Sequence, residues 1–225
     1  MKIRKIRTFG GSLWIILAVL FALGSFPAGA AETGPVSFEI QRIGVMPFFK
    51  GSFGSDITSS INCPVCELTF NPEDLAPDCD RTLTGFAQDL LQVRYGDKLI
   101  PMLDVMRAYR QMPKDEFKDT PLDLTQRLGK ALSANAMILG TVWRYRDRMG
   151  GARAVQRPAS VAFAVHLVEV ETGNVLWSKP FAETQRSLSE NILSAPDFFA
   201  RGAKWLTADE LARFGMGDIF KGFPY

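Results

Sequence analysis

The sequence holds one histidine and three cysteines among its 225 residues, and the short patterns around which common catalytic centres are built are missing. There is no G-x-S-x-G elbow, no H-E-x-x-H pair, no Walker loop and no G-x-G-x-x-G turn. Any histidine-based acid–base machinery must centre on His166, which lies mid-strand between apolar neighbours, where a half-buried structural imidazole is expected. Asp115, Glu116 and Asp119 gather between Pro113 and Pro121 as a solvated linker. The expectation is a protein that is not an enzyme, with no catalytic or cofactor-binding residue to assign.

An excess of charge is also missing. Lysine and arginine number 26 against 24 aspartate and glutamate. The surplus sits at the start: Lys2, Arg4, Lys5 and Arg7 are the charged residues of positions 1–30, and removing them leaves 22 basic residues against 24 acids, near −2. A chain of that balance has no electrostatic case for nucleic acid, whose binding is driven by neutralising phosphates. The long apolar run of a membrane span is absent too, since Leu13 to Leu23 falls short of the ~20 residues needed. Basic start, short apolar middle and Ala28-Gly29-Ala30 together read as a secretory signal peptide over 1–30, cut after Ala30. The expected location is periplasmic, across the inner membrane, with no stable membrane span after cleavage. Residues 31–40 read as a leader and 41–225 as a single α/β domain, with a cysteine-containing insert at about 50–80.

Within that domain, Arg42 to Phe49 suits a buried strand and Lys50 to Asn62 a loop. Leu83, Phe86, Ala87, Leu90 and Leu91 recur at helical spacing, with Asp80 or Thr82 as cap. Lys98 to Pro101 predicts a second strand, and Met102, Val105, Met106 and Tyr109 one face of a second helix. Thr120-Pro121-Leu122-Asp123 opens a third helix with a cap, a first-turn proline and a first-turn acid. The pattern then turns to strand: Ala136 to Arg148 and Ala159 to Glu171 form a hairpin with a long tip, and Val175 to Thr184 returns after Glu171-Thr172-Gly173-Asn174. Val161, Phe163, Val165 and Leu167 share a face that requires helices packed on it. Ser194-Ala195-Pro196-Asp197 and Thr207-Ala208-Asp209-Glu210 cap two short closing helices, the second ending at Gly215. The order predicts an α/β sandwich with a mixed sheet and a C-terminal β-meander.

Cys63-Pro64-Val65-Cys66 with Cys79 is the cluster with site-like spacing, and three readings fit it. In an oxidising compartment Cys63 or Cys66 joins Cys79 in a disulfide, closing a loop whose constraint is worth ~3 kcal/mol. As a metal knuckle the three thiolates hold zinc and borrow a fourth ligand from Asp78, Asp80, His166 or water. As a redox pair, Cys63 and Cys66 require a helix start that Glu67 to Pro72 does not supply. The second and third make a metal- or redox-responsive sensor the alternative function.

Arg144, Arg146, Arg148, Arg153 and Arg157 crowd the hairpin tip, with Asp147 the acid among them. The planar guanidinium fork suits carboxylate and phosphate, so Arg146, Arg148, Arg153 and Arg157 are the candidate partner-binding residues, for an envelope protein or an anionic envelope component. The competing reading is a charged edge kept soluble.

Arg42-Ile43-Gly44-Val45-Met46-Pro47-Phe48, Leu99-Ile100-Pro101, Ala136 to Val142 and the Val168 to Trp177 meander resemble the superfamily of TolB amino-terminal domains, which includes the curli-secretion channel lipoprotein CsgG and the penicillin-binding-protein activator LpoB. The resemblance covers about residues 41–200, and V-x-x-x-T-G-x-V-L-W is its most specific piece. It implies an anticodon-binding-like α/β sandwich with a non-enzymatic role in envelope assembly. This chain lacks the lipobox cysteine of those relatives.

Overall fold

Proline decides where the first strands stop. The computed structural model describes residues 38–50, 61–62, 65, 69–70, 75–115, 118–186 and 204–225. The strand expected over 42–49 is two pieces, β1 (Ile43–Val45) and β2 (Phe49–Lys50). Both pair in parallel with β5 (Ala136–Arg146), Val45 opposite Ile138 and Phe49 opposite Thr141, so one extra residue is accommodated between them. Pro47 lies in that interval, with no N–H to give the ladder. The strand expected over Lys98–Pro101 is instead a 3₁₀ turn, Gly96–Lys98, and a single parallel bridge from Leu99 to Ile43. Ile100 N donates to Ile43 O at 2.8 Å, and Pro101 then ends the pairing. Inside the stretch read as loop and insert, β3 (Ile61–Asn62) and β4 (Thr69–Phe70) pair as an antiparallel ribbon.

The first helix, α1 (Cys79–Tyr95), starts earlier than expected: Asp78 is its N-cap, without a side-chain cap bond, so neither Asp80 nor Thr82 caps it. The second helix is α2 (Met102–Gln111). For α3 (Pro121–Ala131) the capping box forms as expected, Thr120 Oγ1 accepting from Asp123 N at 3.1 Å and Asp123 Oδ2 accepting from Thr120 N at 3.1 Å. The closing helix, α4 (Ala208–Lys221), has the same reciprocal cap between Thr207 and Glu210. It runs through Gly215, where the sequence predicts an end. A Cβ there would meet the Phe181 ring at 2.5 Å, so the glycine permits close approach to the sheet and does not stop the helix. The cap pattern at 194–197 lies outside the described residues, as does the signal segment 1–30.

The main sheet runs β1-β5-β8-β9, with β2 also on β5; β8 is Ser160–Glu169 and β9 Val175–Thr184. The last three strands are the antiparallel meander, and the parallel β1 makes the sheet mixed. Gly173 in the β8–β9 turn has φ 77°, the left-handed conformation glycine adopts without a Cβ clash. As the alternation requires, Val161, Phe163, Val165 and Leu167 lie on one face and are fully buried. There α1 and α4 pack on each other and on the sheet, with Phe163 edge-on to Phe48 and Trp177 against Phe220 and Phe223. On the other face, Val105 of α2 and Leu124 and Leu128 of α3 close over Met137, Leu139 and Val168. The protein is an α/β sandwich, with helices on both faces of a mixed sheet.

Both sheet edges are partly guarded against a further strand. Beside β1 the bridge from Leu99 takes the outer position. On β9, Pro180 sits mid-strand opposite Ala164; a proline there turns its nitrogen outward and removes a donor from the rim, while Lys179 adds charge.

Candidate functional site

The hairpin tip is where the sequence concentrates arginine, and the strand geometry divides those residues. A register shift between Val142 and Arg144 brings Arg144 opposite Ala162 and Arg146 opposite Ser160, both half-buried along the sheet. Beyond them β6 (Met149–Gly150) and β7 (Val155–Arg157) pair as a small antiparallel extension. Arg153 is exposed in the turn of this ribbon and Arg157 is exposed at its base, opposite Met149, whereas Arg148 turns back and its guanidinium donates to the backbone oxygen of Trp205. The four arginines expected to act together thus differ in burial, Arg146 and Arg148 half-buried and Arg153 and Arg157 exposed.

The base of the tip is braced against the start of α4. Asp147 Oδ1 accepts from Ala208 N at 2.9 Å, adding a carboxylate at a helix N-terminus, where partial positive charge favours it. Trp205 N donates to Ala152 O at 2.9 Å. Gln185 clamps the same segment from β9's far end, its Oε1 accepting from Leu206 N at 2.7 Å and its Nε2 donating to Lys204 O at 2.9 Å. Tyr145 OH donates to Asp209 Oδ1 at 2.6 Å, and burial together with that carboxylate pushes the phenol well above its usual range. The hydrogen bond from Lys204 and the Thr207 backbone hold the Glu210 carboxyl below the usual glutamate range. Sequence reasoning missed this brace: Asp147 was legible as an acid among arginines, but its partner is 61 positions away.

His166 is fully buried, not half-buried, and its Nδ1 lies 2.9 Å from Ser178 Oγ. Burial lowers its pKa to about 4, so at neutral pH the ring is uncharged. A histidine beside a serine is half of a nucleophilic pair, but the ring is 0% exposed. That places it in the wall of the sheet and out of substrate reach.

Of the cysteines, Cys63 and Cys66 lie outside the described residues. Cys79 opens α1 as a free thiol, 1% exposed, and burial pushes its pKa up, which keeps it protonated and packed as a small apolar side chain. Among the described residues no group of three His, Cys, Asp or Glu side chains is arranged to hold a metal ion. No described helix is long and apolar enough to cross a membrane.

No protein-family model matches the chain. No curated protein matches it. Solved structures similar to it include the PelC dodecamer from Paraburkholderia phytofirmans, 12% identical over 80% of this chain and 84% of that chain, with a TM-score of 0.42. Another is lipoprotein GNA1162 from Neisseria meningitidis, 16% identical over 72% of this chain and 98% of that one, with a TM-score of 0.41. A third is the LpoB C-terminal domain from Escherichia coli, 14% identical over 66% and 87%, with a TM-score of 0.38.

Proposed function

We propose that this chain is an exported, non-enzymatic binding protein of the cell envelope. It engages an envelope protein, or an anionic envelope component, through the end of the hairpin tip. The observation that carries the reading is the brace: Asp147, Arg148 and Ala152 tie the tip to 204–208 while leaving Arg153 and Arg157 exposed. A tip held on its scaffold loses little freedom when a partner docks, and arginine is the cation best suited to carboxylate or phosphate. The bridge at Ile43 and Pro180 on β9 disfavour strand addition and so support the tip. The signal-like first thirty residues and the resemblance to envelope-assembly domains support the location and the class.

The test is to replace Arg153 and Arg157 together with serine and measure recovery of cross-linked partner from the organism's own envelope. Recovery is expected to fall with the unfolding midpoint unchanged. Equal recovery from the double variant would sink the tip as the binding site. Arg148→Ser is the contrasting variant: it breaks the Trp205 contact, so its first effect is on the stability of the brace.

A further inference from the structure

Away from the tip, α2 has two working faces. Val105, Ala108, Tyr109 and Met112 turn into the core. On the other side Met102, Leu103, Met106, Arg107 and Arg110, with Arg81 from the first turn of α1, line a cleft of about 510 Å³. That volume lies within the roughly 300–1,000 Å³ of small-ligand sites, which are mostly apolar with a few converging polar groups.

The lining is sorted along the helix. Met102, Leu103 and Met106 come from its first half and Arg107 and Arg110 from its second, so an apolar stretch leads into a cationic one. Leu103 is 78% exposed, and it lines the cleft beside Met102 and Met106, so the three form one apolar stretch. Methionine is flexible and polarizable, and it conforms to an irregular apolar guest.

The cationic end is available to a ligand. Arg81 contacts Asp78 at 3.7 Å and Arg107 contacts Asp104 at 3.0 Å, both as exposed surface pairs that exchange readily, and neither carboxylate lines the cleft. Arg110 has no carboxylate partner among the described residues. Gln111 is the one neutral polar side chain among the described lining residues. A peptide's backbone N–H and C=O groups would find little to bond to along such walls, whereas an acyl chain needs no such partners.

We propose that this cleft binds a single-chain anionic lipid. The acyl chain lies along Met102, Leu103 and Met106, and the acidic headgroup is held by Arg81, Arg107 and Arg110. The site is separate from the hairpin tip and does not depend on the tip's role.

The experiment is calorimetric titration of the full exported chain with myristate below its micelle concentration. The comparison ligands are monomyristin, a neutral lipid of the same chain, and acetate and inorganic phosphate, which lack the chain. Saturable binding of one myristate is expected, with monomyristin about tenfold or more weaker, the size of a lost charge-assisted hydrogen bond. Arg81→Ser and Arg110→Ser should each weaken myristate by about tenfold, and Leu103→Glu should remove binding. All three positions are exposed, so melting curves should stay in place, and Lys179→Ser on β9, outside both proposed sites, should bind as the unaltered protein does. Equal affinity for myristate and monomyristin, equal loss from Lys179→Ser, or no saturable binding would each overturn the proposal. Acetate or phosphate binding as tightly as myristate would overturn it in favour of a plain anion site. An amphipathic leucine–glutamate peptide that saturates the cleft where myristate does not would overturn it in favour of a protein partner.

Discussion

Gly215 and Gly217 stand two residues apart in α4, and they have opposite surroundings. A Cβ on Gly215 would meet Phe181 at 2.5 Å, while one on Gly217 would have nothing within 4 Å. Gly215→Ala must displace the half-buried Phe181 ring and is expected to destabilise by about 1–3 kcal/mol. Gly217→Ala relieves the helix cost of glycine and is expected to stabilise by about 0.5–1 kcal/mol. Urea unfolding of both variants checks the pair, and a matched response would contradict the packing. The sequence displays both glycines at helical spacing but not the ring from β9, which is why Gly215 reads there as an end. His166 carries a second prediction at this scale. Its pKa is lowered to about 4 by burial, against an unfolded value near 6.5. Above ~6.5 both states are neutral and the residue adds no pH dependence. As pH falls from there toward 4 the unfolded chain takes up a proton that the native ring refuses, so stability falls, by up to about 1.4 kcal/mol per pH unit, and levels off below. Replacing His166 with Gln should flatten that part of the stability–pH curve; a curve parallel to the unaltered protein's would show that the ring does not titrate as its burial requires.

Among the elements, the starts of α3 and α4 were the most legible, because a capping box is a short-range contract between residues three apart, whereas α1 starts at an Asp78 that makes no side-chain cap bond. Thr120 with Asp123 and Thr207 with Glu210 make the reciprocal bonds their spacing promises. Strand ends were less so, because a strand stops where its neighbour stops. Pro47 and Pro101 were visible, yet the split of β1 from β2 and the reduction of 98–101 to one bridge depend on the register with β5 and Ile43. The start of α4 supports a quantitative expectation. Thr207→Ala removes one half of its capping box and Asp147→Ala the acceptor of Ala208 N, each costing about 1 kcal/mol. The two lie in one brace, so the double variant should depart from additivity. Chemical denaturation of the singles and the double measures that coupling, and strict additivity would mean the tip and the helix start hold independently.

For the whole molecule, alternation along β8 and the turn at 171–174 were enough to place the meander, and the 3.6-residue spacing of the helices supplied the layers. The candidate site was legible as composition only. Four arginines in one window read as one binding set, but their burial differs: Arg146 and Arg148 are half-buried, the latter on Trp205, and Arg153 and Arg157 are exposed. A strand's period assigns faces, and a bulge resets them without a sequence mark. At this scale the export reading is checked by intact mass of the protein recovered from the periplasm, which should begin at Ala31. The same spectrum with and without reductant shows whether Cys63 and Cys66 carry a disulfide, and under native conditions Cys79 should resist alkylation until the protein is unfolded. A mass that retains residues 1–30 would move the chain to another compartment.

Trp205 sits half-buried where the tip meets α4, its backbone bonded to Ala152 and Arg148. Its indole is therefore a built-in optical probe. Trp143 is buried in the sheet and Trp177 lies among the aromatic rings at the far end of α4. In protein cut after Ala30, which no longer carries Trp14, replacing those two with phenylalanine leaves one tryptophan, whose emission would follow the tip alone. Docking could then be timed by stopped-flow on unlabelled protein.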